Sequence, residues 1–399
     1  MAELRQNTWS LDEWYAQDVA GDAGYTAVDP GKLFTWGRQS VPAGVNGSLG
    51  HNNNTDYSSP KQVGTDTTWQ WVYSGESGAG IKSDGTLWMN GDQNGGGGAN
   101  NQGNLGLNNL TSRSSPTQVG TDTTWKSVCT GGGTRATKTD GTLWFWGYGA
   151  NGTSGMNFGE PSNQLSSPTQ IGTDTDWDQV FTGGGGHTGC FKTDGSLYLW
   201  GNNTRGQIGQ NNKTKYSSPT QVPGTWISTL CSSSYGVTYC GRSDGTLWSW
   251  GDNEYGELGH NDTVMRSSPV QVASNVTTWK SITTGNAATL ATQTDGTMWG
   301  WGQNTNGKCM LNTGDKRSSP TQVGTDSTWN YVNSGADWSM ASKTDGTIWM
   351  AGLNEYGQIG NGQSNMTSYS SPIQLPGTDW VVQKCFGGNS IRPKAKKAA

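Results

Sequence analysis

The chain has 399 residues, a net charge of −5 and only 14% charged side chains, so it lacks the positive field that would draw it to nucleic acid or to an acidic membrane surface. No apolar stretch is long enough to span a bilayer, and the first residues lack the apolar core of a signal peptide, so we expect neither membrane insertion nor export by that route. Because hydrophobic residues make up only 31% of the chain, its 21 Trp and 62 Gly are expected to build the core.

The first predicted element is a short helix in an N-terminal arm, residues 1–23. Ser10 and Glu13 have the spacing of a capping box and Gly21 is a typical stop, which predicts a helix over about residues 11–20. Aromatic and aliphatic residues of the arm are expected to form one anchoring face: Trp9, Leu11, Trp14, Tyr15 and Val19. Two interpretations stay open, in which this face packs on the rest of its own chain or docks on a partner protein.

From residue 24 onward a hairpin recurs along the chain. Asp-Gly stands between short runs of alternating apolar residues, as in 138–147, and this dipeptide predicts a type I′ turn because both residues tolerate positive φ. The turn glycines are spaced by 50 to 56 residues: Gly31, Gly85, Gly141, Gly195, Gly245, Gly296 and Gly346.

Two further markers keep the same spacing. Ser-Ser-Pro ends at Pro60, Pro116, Pro168, Pro219, Pro269, Pro320 and Pro372, and a tryptophan follows at Trp69, Trp125, Trp177, Trp226, Trp279, Trp329 and Trp380. A repeat of this length holds about four short strands, which is one blade of a β-propeller. Seven copies of each marker predict an all-β fold, a seven-bladed β-propeller over residues 24–387.

The two ends of the chain are predicted to complete one blade together. The last repeat has no Asp-Gly hairpin after Trp380, whereas residues 24–37 line up with the hairpin strands at 189–201. We therefore expect N-terminal and C-terminal strands to pair within one closing blade, which pairs two edges that would otherwise be open.

The six cysteines show no metal-type spacing, and three of them share one repeat position: Cys129, Cys231 and Cys385. This pattern favours reduced, partly buried thiols over a disulfide framework. With only three histidines in the chain, no Ser-His-Asp or Cys-His catalytic set can be assigned. The sequence therefore predicts no catalytic residue, no cofactor and no metal site.

One repeat position near the expected central channel carries unlike polar and aromatic groups: Arg135, His187, Tyr235, Asp337 and Trp338. If they converge, they form a binding site in the central funnel; the alternative is the polar lining of a water-filled channel. The loops that follow each third strand are longer and rich in Gly and Asn in the first three blades. Insertions of this kind map to one face of a repeat protein, often the binding face, and drift tolerated in solvent is the alternative.

Residues 388–399 are predicted to form a basic tail with four positive charges: Arg392, Lys394, Lys396 and Lys397. Such a tail makes weak, salt-sensitive contacts with an acidic partner or nucleic acid, and a solvated tail with no partner is the alternative.

The repeat resembles that of the regulator of chromosome condensation family. The resemblance rests on Asp-Gly-Thr-Leu-Trp-x-Trp-Gly-x-Asn, as in residues 244–253, followed by Gly-Gln-Ile/Leu-Gly, as in 206–209, and it covers about residues 24–387. It implies a seven-bladed propeller. Eukaryotic members of the family act as exchange factors for a small nuclear GTPase and bind chromatin; other members are protein-binding modules, including a secreted bacterial inhibitor of β-lactamases.

The Asn-, Gly-, Ser-, Thr- and Trp-rich repeats and the opening segment 9–21 also look like propellers of tailed-bacteriophage virion proteins. That resemblance implies a non-enzymatic structural protein of the virion, a capsid decoration or tail fibre assembled in the host cytoplasm. Its expected partners are other virion proteins and a host cell surface, with no specific nucleic acid. The alternative is a soluble regulatory propeller that binds a GTPase or a hydrolase through one face. An enzyme with a funnel active site is the third interpretation.

Overall fold

The computed structural model describes residues 31–38, 47–74, 77–92, 102–157, 164–183, 186–272, 276–364, 367–378, 380–381 and 394–398. Within these ranges the chain consists of antiparallel strands, loops and two short 3₁₀ turns at Ala150–Gly152 and Thr305–Gly307. The all-β class predicted from the repeats is confirmed. The predicted helical arm, residues 1–23, lies outside the described residues.

Five sheets have four strands each, and within each sheet the strands follow one another in chain order from the centre outward. Their bounds are β7 (Trp125–Thr130), β8 (Thr134–Lys138), β9 (Leu143–Tyr148) and β10 (Gln164–Ile171); β11 (Trp177–Gly183), β12 (His187–Lys192), β13 (Leu197–Gly201) and β14 (Tyr216–Val222); β15 (Ile227–Ser234), β16 (Val237–Gly241), β17 (Leu247–Gly251) and β18 (Arg266–Gln271); β19 (Trp279–Thr284), β20 (Ala288–Gln293), β21 (Met298–Gly302) and β22 (Arg317–Gln322); β23 (Trp329–Ser334), β24 (Trp338–Lys343), β25 (Ile348–Leu353) and β26 (Ser368–Gln374). We call each four-stranded unit a blade.

The remaining strands form one eight-stranded sheet. One part is a sixth four-stranded unit: β3 (Trp69–Ser74), β4 (Gly78–Lys82), β5 (Leu87–Gly91) and β6 (Arg113–Gln118). The other part is β27 (Trp380–Val381), β28 (Lys394–Ala398), β1 (Gly31–Gly37) and β2 (Tyr57–Gln62). A single pairing of Gly31 with Trp69 joins the two parts.

The described part of the predicted basic tail is a strand. Segment β28 pairs antiparallel with β1 on one side and with β27 on the other. The alignment of the repeats assigns residues 24–28 to this place, and they lie outside the described residues. This pairing does not depend on the side chains of 394–398. Ladder hydrogen bonds join main-chain groups, and every residue except proline has both a donor and an acceptor.

Tryptophan fills the core, as the composition predicts. The first strands of neighbouring blades contact each other around the central axis, and the Trp at the start of each is almost fully buried. Trp125 packs edge-on against Trp144 and Trp146, with centroids 6.1 and 5.8 Å apart. The ammonium of Lys138 lies 3.9 Å from the Trp144 centroid and 2.5 Å from Asp122 Oδ2. Cations stack on equivalent aromatic pairs in other blades, namely Lys82, Lys192, Arg242 and Lys343.

The Asp-Gly turn differs from the predicted type I′ geometry. Only the glycine has positive φ, as in Gly141 (φ 78°), and Asp140 is not among the residues with positive φ. Gly141 N donates to Lys138 O at 3.0 Å, and Asp140 Oδ1 accepts from the amide and the hydroxyl of Thr142 at 3.0 and 2.6 Å. The aspartate is therefore selected for its side-chain hydrogen bonds, which hold the threonine that follows the turn.

Neighbouring blades are joined by a repeated main-chain hydrogen bond. An amide in the loop after the third strand donates to the carbonyl oxygen of the first Ser in the Ser-Ser-Pro of the next blade, at 2.7 to 2.9 Å. The donor and acceptor pairs are Asn52 and Ser114, Asn108 and Ser166, Asn157 and Ser217, Asn211 and Ser267, Asn261 and Ser318, Asn312 and Ser370, and Gly362 and Ser58. The last pair leads back to β2, where the series began.

The Ser-Ser-Pro motifs lie in the outermost strands. Each of β2, β6, β10, β14, β18, β22 and β26 contains one of these prolines. In β6 the register with β5 shifts between Arg113 and Thr117, around Pro116. Proline has no N–H, so it fits a sheet edge or an irregular position in a strand.

The prediction that all thiols are reduced is wrong at one place. Cys231 and Cys240 lie directly opposite each other in β15 and β16 and form a disulfide. Cys129, Cys190 and Cys309 are free and buried, as expected. In the repeat alignment Cys231 is equivalent to cysteines of other blades. Its disulfide partner lies instead on the adjacent strand of its own blade, and the strand register is needed to identify it.

Candidate protein-binding face

The described blades expose two different ends. At one end lie the tips of the hairpins between first and second strands and the loops between third and fourth strands. The two are bonded to each other, as in Asp252 N to Gly236 O (2.9 Å) and Leu353 N to Asp337 O (2.8 Å). We call this end the loop face. The opposite end, the turn face, carries the Asp-Gly turns and the turns that precede each inner-strand Trp.

The hairpin tip between β15 and β16 stands out on the loop face. Its strands are joined by only two residues, Tyr235 and Gly236, whereas three residues join the corresponding strands β19 and β20 of the next blade. Tyr235 lies at this two-residue tip with φ 28° and 48% of its surface exposed. A positive φ is unfavourable for an aromatic residue. The tip thus holds a large side chain in solvent at a conformational cost.

Charged groups flank Tyr235. Arg205, from the loop after β13 in the neighbouring blade, places Nε 3.4 Å from Asp252 Oδ2, and half of its side chain is exposed. A Cβ on Gly236 would meet Arg205 Cγ at 3.2 Å, so the arginine stem lies against the tip. An aromatic ring, a guanidinium and a carboxylate from two blades therefore lie together on the loop face. Of these three residues only Tyr235 was predicted from the sequence, because the contact of Arg205 with Asp252 joins two blades and has no local sequence pattern.

Asp337 lies on the same face two blades away. Its carboxylate is 3.6 Å from the ammonium of Lys308, which is almost fully buried. Lys308 Nζ also donates to Asn286 O at 2.7 Å and Gln303 Oε1 at 3.1 Å. Burial lowers the pKa of Lys308, and the charge of Asp337 opposes that shift. The pair holds the tips of two neighbouring blades together.

Arg135 is an interior group and does not line the surface of a funnel. Its guanidinium is fully buried and donates to Thr153 O from Nε (3.2 Å) and Nη2 (2.7 Å), and from Nη1 to Gly131 O (2.8 Å) and Gly133 O (2.9 Å). Burial lowers its pKa from 12.5 to about 10, so it remains charged at neutral pH. The arginine binds a hairpin tip to a loop of the same blade.

His187 and Trp338 are also interior. His187 is fully buried, its Nε2 lies 3.1 Å from Thr238 Oγ1 of the next blade, and burial lowers its pKa to about 4. Trp338 is 1% exposed. The five residues predicted to converge thus have different surroundings. They were aligned to within a residue or two, and in a strand a shift of one residue turns a side chain to the other face.

The structure describes only some of the other predicted contact residues. The anchoring residues of the arm, Trp9, Leu11, Trp14, Tyr15 and Val19, lie outside the described residues, as does Arg392. Lys394, Lys396 and Lys397 belong to β28. Parts of the long loops after the third strands of the first three blades, residues 39–46, 93–101 and 158–163, are likewise outside the described ranges.

Among the described residues, no group of three or more His, Cys, Asp or Glu side chains is arranged to hold a metal ion. In the same residues, no helix has the length and apolarity needed to cross a bilayer.

Sequence comparison relates parts of the chain to known proteins. Residues 194–238, 244–292, 295–342 and 345–391 match the profile of the regulator of chromosome condensation (RCC1) repeat. A stretch of 213 residues is 29% identical to the ultraviolet-B receptor UVR8 of Arabidopsis thaliana, covering 52% of this chain and 45% of UVR8. The match therefore spans less than half the length of this relative.

Three solved structures resemble the whole chain. Prp20p from Saccharomyces cerevisiae has a TM-score of 0.74 at 18% identity, covering 93% of this chain and 92% of its own. Human WBSCR16 has a TM-score of 0.77 at 18% identity, covering 92% and 98%. Yeast RCC1 (Prp20) bound to Kap60 has a TM-score of 0.75 at 17% identity, covering 100% and 95%. At this identity the likeness establishes the fold, an RCC1-like β-propeller.

Proposed function

Because this chain carries RCC1 repeats over residues 194–391 and folds as an RCC1-like β-propeller, we propose that it is a non-enzymatic regulatory propeller that binds a partner protein through its loop face. The observation that carries the proposal is Tyr235, an exposed aromatic residue held at positive φ and flanked by Arg205 and Asp252. Tyrosine and arginine are the residue types that dominate the energetics of protein interfaces. An exposed aromatic residue also costs little rotamer entropy on binding.

We also propose that the ring has seven blades, the seventh being β27, β28, β1 and β2. Two observations support this number. The inter-blade amide bonds number seven and run in a cycle, ending with Gly362 and Ser58. The indole of Trp36 in β1 donates to Gln358 O at 3.0 Å, as Trp250 does to Gln207 O at 2.9 Å between two other blades.

The comparisons favour the regulatory interpretation over the virion interpretation. Prp20p was solved in a study of its binding to Gsp1p and histones, and yeast RCC1 was solved bound to Kap60. These are properties of those proteins, and they make a protein partner the first class to test here, with a GTPase as the leading member. None of the matches described above supports the virion role, which stays a prediction from the sequence.

The proposal is tested by site-directed cross-linking followed by binding measurements. A photo-activated amino acid at position 235 should cross-link the partner in extracts of the source cell, whereas the same group at position 270 should not. Val270 is the matched control because it is 36% exposed in the same blade but lies in the outer strand β18.

The partner identified in this way, and a panel of nucleotide-free small GTPases, are then titrated as purified proteins. Truncating an interface hot spot costs about 2 kcal/mol or more, so Tyr235→Ala should weaken binding more than tenfold while Val270→Ala leaves it unchanged. Tight binding that is insensitive to Tyr235→Ala would place the interface elsewhere. Immunogold labelling of intact phage particles with an antibody to the propeller would instead support the virion role.

A further inference from the structure

Exposed apolar side chains are concentrated in the blade of β15 to β18. Among the described residues four large hydrophobic side chains are exposed, and three of them belong to this blade. Tyr235, at the hairpin tip, and Val264, which is 57% exposed in the loop between β17 and β18, both lie on the loop face. Val270 lies in the outer strand β18, and the fourth, Leu110, belongs to another blade. A single exposed apolar residue is normal, whereas two on the same face of one blade mark a contact surface.

Hydrogen bonds join Tyr235 and Val264 into one continuous surface. Asp252 N donates to the carbonyl oxygen of the hairpin tip, at Gly236, over 2.9 Å. The next residue, Asn253, is fully buried and donates from Nδ2 to Val264 O at 3.1 Å. Because Asp252 and Asn253 are consecutive, the tip and Val264 are fixed relative to each other. We call the surface that runs outward from Tyr235 to Val264 the contact strip.

The loop of the contact strip, residues 252–266, is acidic. Its charged residues are Asp252, Glu254, Glu257, Asp262 and Arg266. Glu257 is buried, Arg266 pairs with Asp262 at 2.6 Å, and Asp252 lies 3.4 Å from Arg205. Glu254 is exposed, and no ion pair among the described residues neutralises it. The contact strip therefore presents an unpaired carboxylate together with two apolar side chains.

The corresponding loops of the two neighbouring blades are basic. Each contains three basic residues: Arg205, Lys213 and Lys215 in residues 202–216, and Lys308, Lys316 and Arg317 in residues 303–317. The two loops contain one acidic residue between them, Asp315. A cationic segment on the loop face is therefore attracted to the contact strip and repelled by the loops on either side of it. This charge pattern confines such a segment to a line along the blade.

We propose that the contact strip binds a basic amphipathic helix of the partner protein. The apolar face of the helix packs on Tyr235 and Val264, and its Lys or Arg side chains face Glu254. The contact strip consists of a hairpin tip and a loop, so it offers no strand edge to which an extended segment could add. A helix has its main-chain groups bonded internally and presents side chains alone. This inference rests on the proposed function, because it specifies the kind of segment that reaches Tyr235.

The first test measures the affinity of the full chain for the partner that cross-links at position 235. Val264→Ala should weaken binding about fivefold through lost apolar burial, and Glu254→Lys should weaken it at least about tenfold through like-charge repulsion. The matched controls are Leu110→Ala, which is 47% exposed in the corresponding loop of another blade, and Asp315→Lys, whose side chain is 71% exposed in the next blade. Both should leave the affinity within about twofold, because salt screens distant charges.

The outcomes separate this proposal from the proposed function. If Tyr235→Ala weakens binding but Val264→Ala and Glu254→Lys do not, the contact strip is not the helix site and only the present proposal is overturned. If all three variants bind as the unmodified chain does, the proposed function is overturned as well.

The second test concerns the chemistry of the bound segment. Mass spectrometry of the cross-linked product should identify a segment with basic residues on one side and apolar residues at helical spacing. Replacing its basic residues with Glu should restore binding to the Glu254→Lys variant about tenfold, since the attraction is then reversed in sign on both sides. An acidic or uncharged segment would overturn the proposal.

A synthetic helix serves as a probe that does not require the partner. It has about 18 residues of Leu and Lys, about five turns, with all Leu on one face. A photo-activated amino acid at position 264 of the full chain should cross-link this peptide, and Glu254→Lys should reduce the yield about tenfold. The same group at position 110 is the control and should give little product. Equal yields at 264 and 110 would contradict a specific helix site.

Discussion

Gly141 O accepts a hydrogen bond from Trp177 N at 2.9 Å, so the Asp-Gly turn of one blade is bonded directly to the inner strand of the next. The same contact recurs between Gly85 and Trp125 and between Gly296 and Trp329. The turn glycine is therefore required both for its positive φ and for the close approach of the neighbouring chain. The two requirements can be separated by mutation.

We expect Gly141→Ala to destabilise the propeller far more than Gly120→Ala. Both glycines have positive φ, 78° and 60°, but a Cβ at 141 would overlap Thr175 O, whereas a Cβ at 120 meets nothing within 4 Å. The left-handed conformation alone costs about 1 to 2 kcal/mol, which is the whole effect expected at 120. Overlap in a packed contact adds about 1 to 3 kcal/mol at 141. Chemical denaturation of both variants measures the difference, and equal losses would contradict it.

Trp250→Phe should lower stability by about 2 kcal/mol or more, because it removes a buried donor and leaves space in the core. The Trp250 indole is fully buried and donates to Gln207 O of the preceding blade at 2.9 Å. Trp248→Phe is the control, since that half-buried indole donates to Thr246 Oγ1 within its own turn. Thermal melts should show the larger decrease for Trp250→Phe. A larger decrease for Trp248→Phe would mean that the turn, not the blade contact, limits stability.

Stability should fall as the pH decreases from about 6.5 to about 4. Burial lowers the pKa of His187 from 6.5 to about 4, so the unfolded chain takes up a proton in this range while the folded chain does not. By linkage this one group contributes up to about 3 kcal/mol that is present above pH 6.5 and lost below it. His51 has a pKa lowered to about 4 mainly by burial and acts in the same range. Urea titrations at several pH values should give a weaker pH dependence for His187→Gln; an unchanged slope would show that the pKa of His187 is not lowered by folding.

Alkylation should distinguish the disulfide from the free thiols. The protein is unfolded in guanidinium without reductant, treated with iodoacetamide and digested. Cys129, Cys190 and Cys309 should be labelled, whereas Cys231 and Cys240 should appear as one cross-linked peptide. Prior reduction is the control and should expose both. Labelling of Cys231 without reduction would restore the interpretation of fully reduced cysteines.

The sequence predicted the architecture well because each repeat carries its own markers. The Asp-Gly turn, the Ser-Ser-Pro strand and the inner Trp recur at equivalent positions in each repeat. Their spacing alone therefore predicts where the strands lie. The turn type was wrong because Asp140 serves through its side-chain oxygen and not through positive φ. The dipeptide does not distinguish these two uses.

The candidate site was harder to predict than the fold. Repeat alignment identifies equivalent positions but not the direction of a side chain, so Arg135 and His187 were grouped with Tyr235 although they are buried. The pairing of Cys231 with Cys240 and of Arg205 with Asp252 depends on strand register and on contacts between blades. Neither is encoded in a local pattern.

The prolines of the seven outer strands bear on how the protein behaves at high concentration. Every blade presents its last strand to solvent, and an exposed ladder edge is a template on which a second molecule can add a strand. A proline near the middle of each such strand removes a donor and interrupts the register there. The outer strands should therefore resist the addition of strands from other molecules. Changes in the loops of the blades can then accumulate without creating an edge that forms fibres.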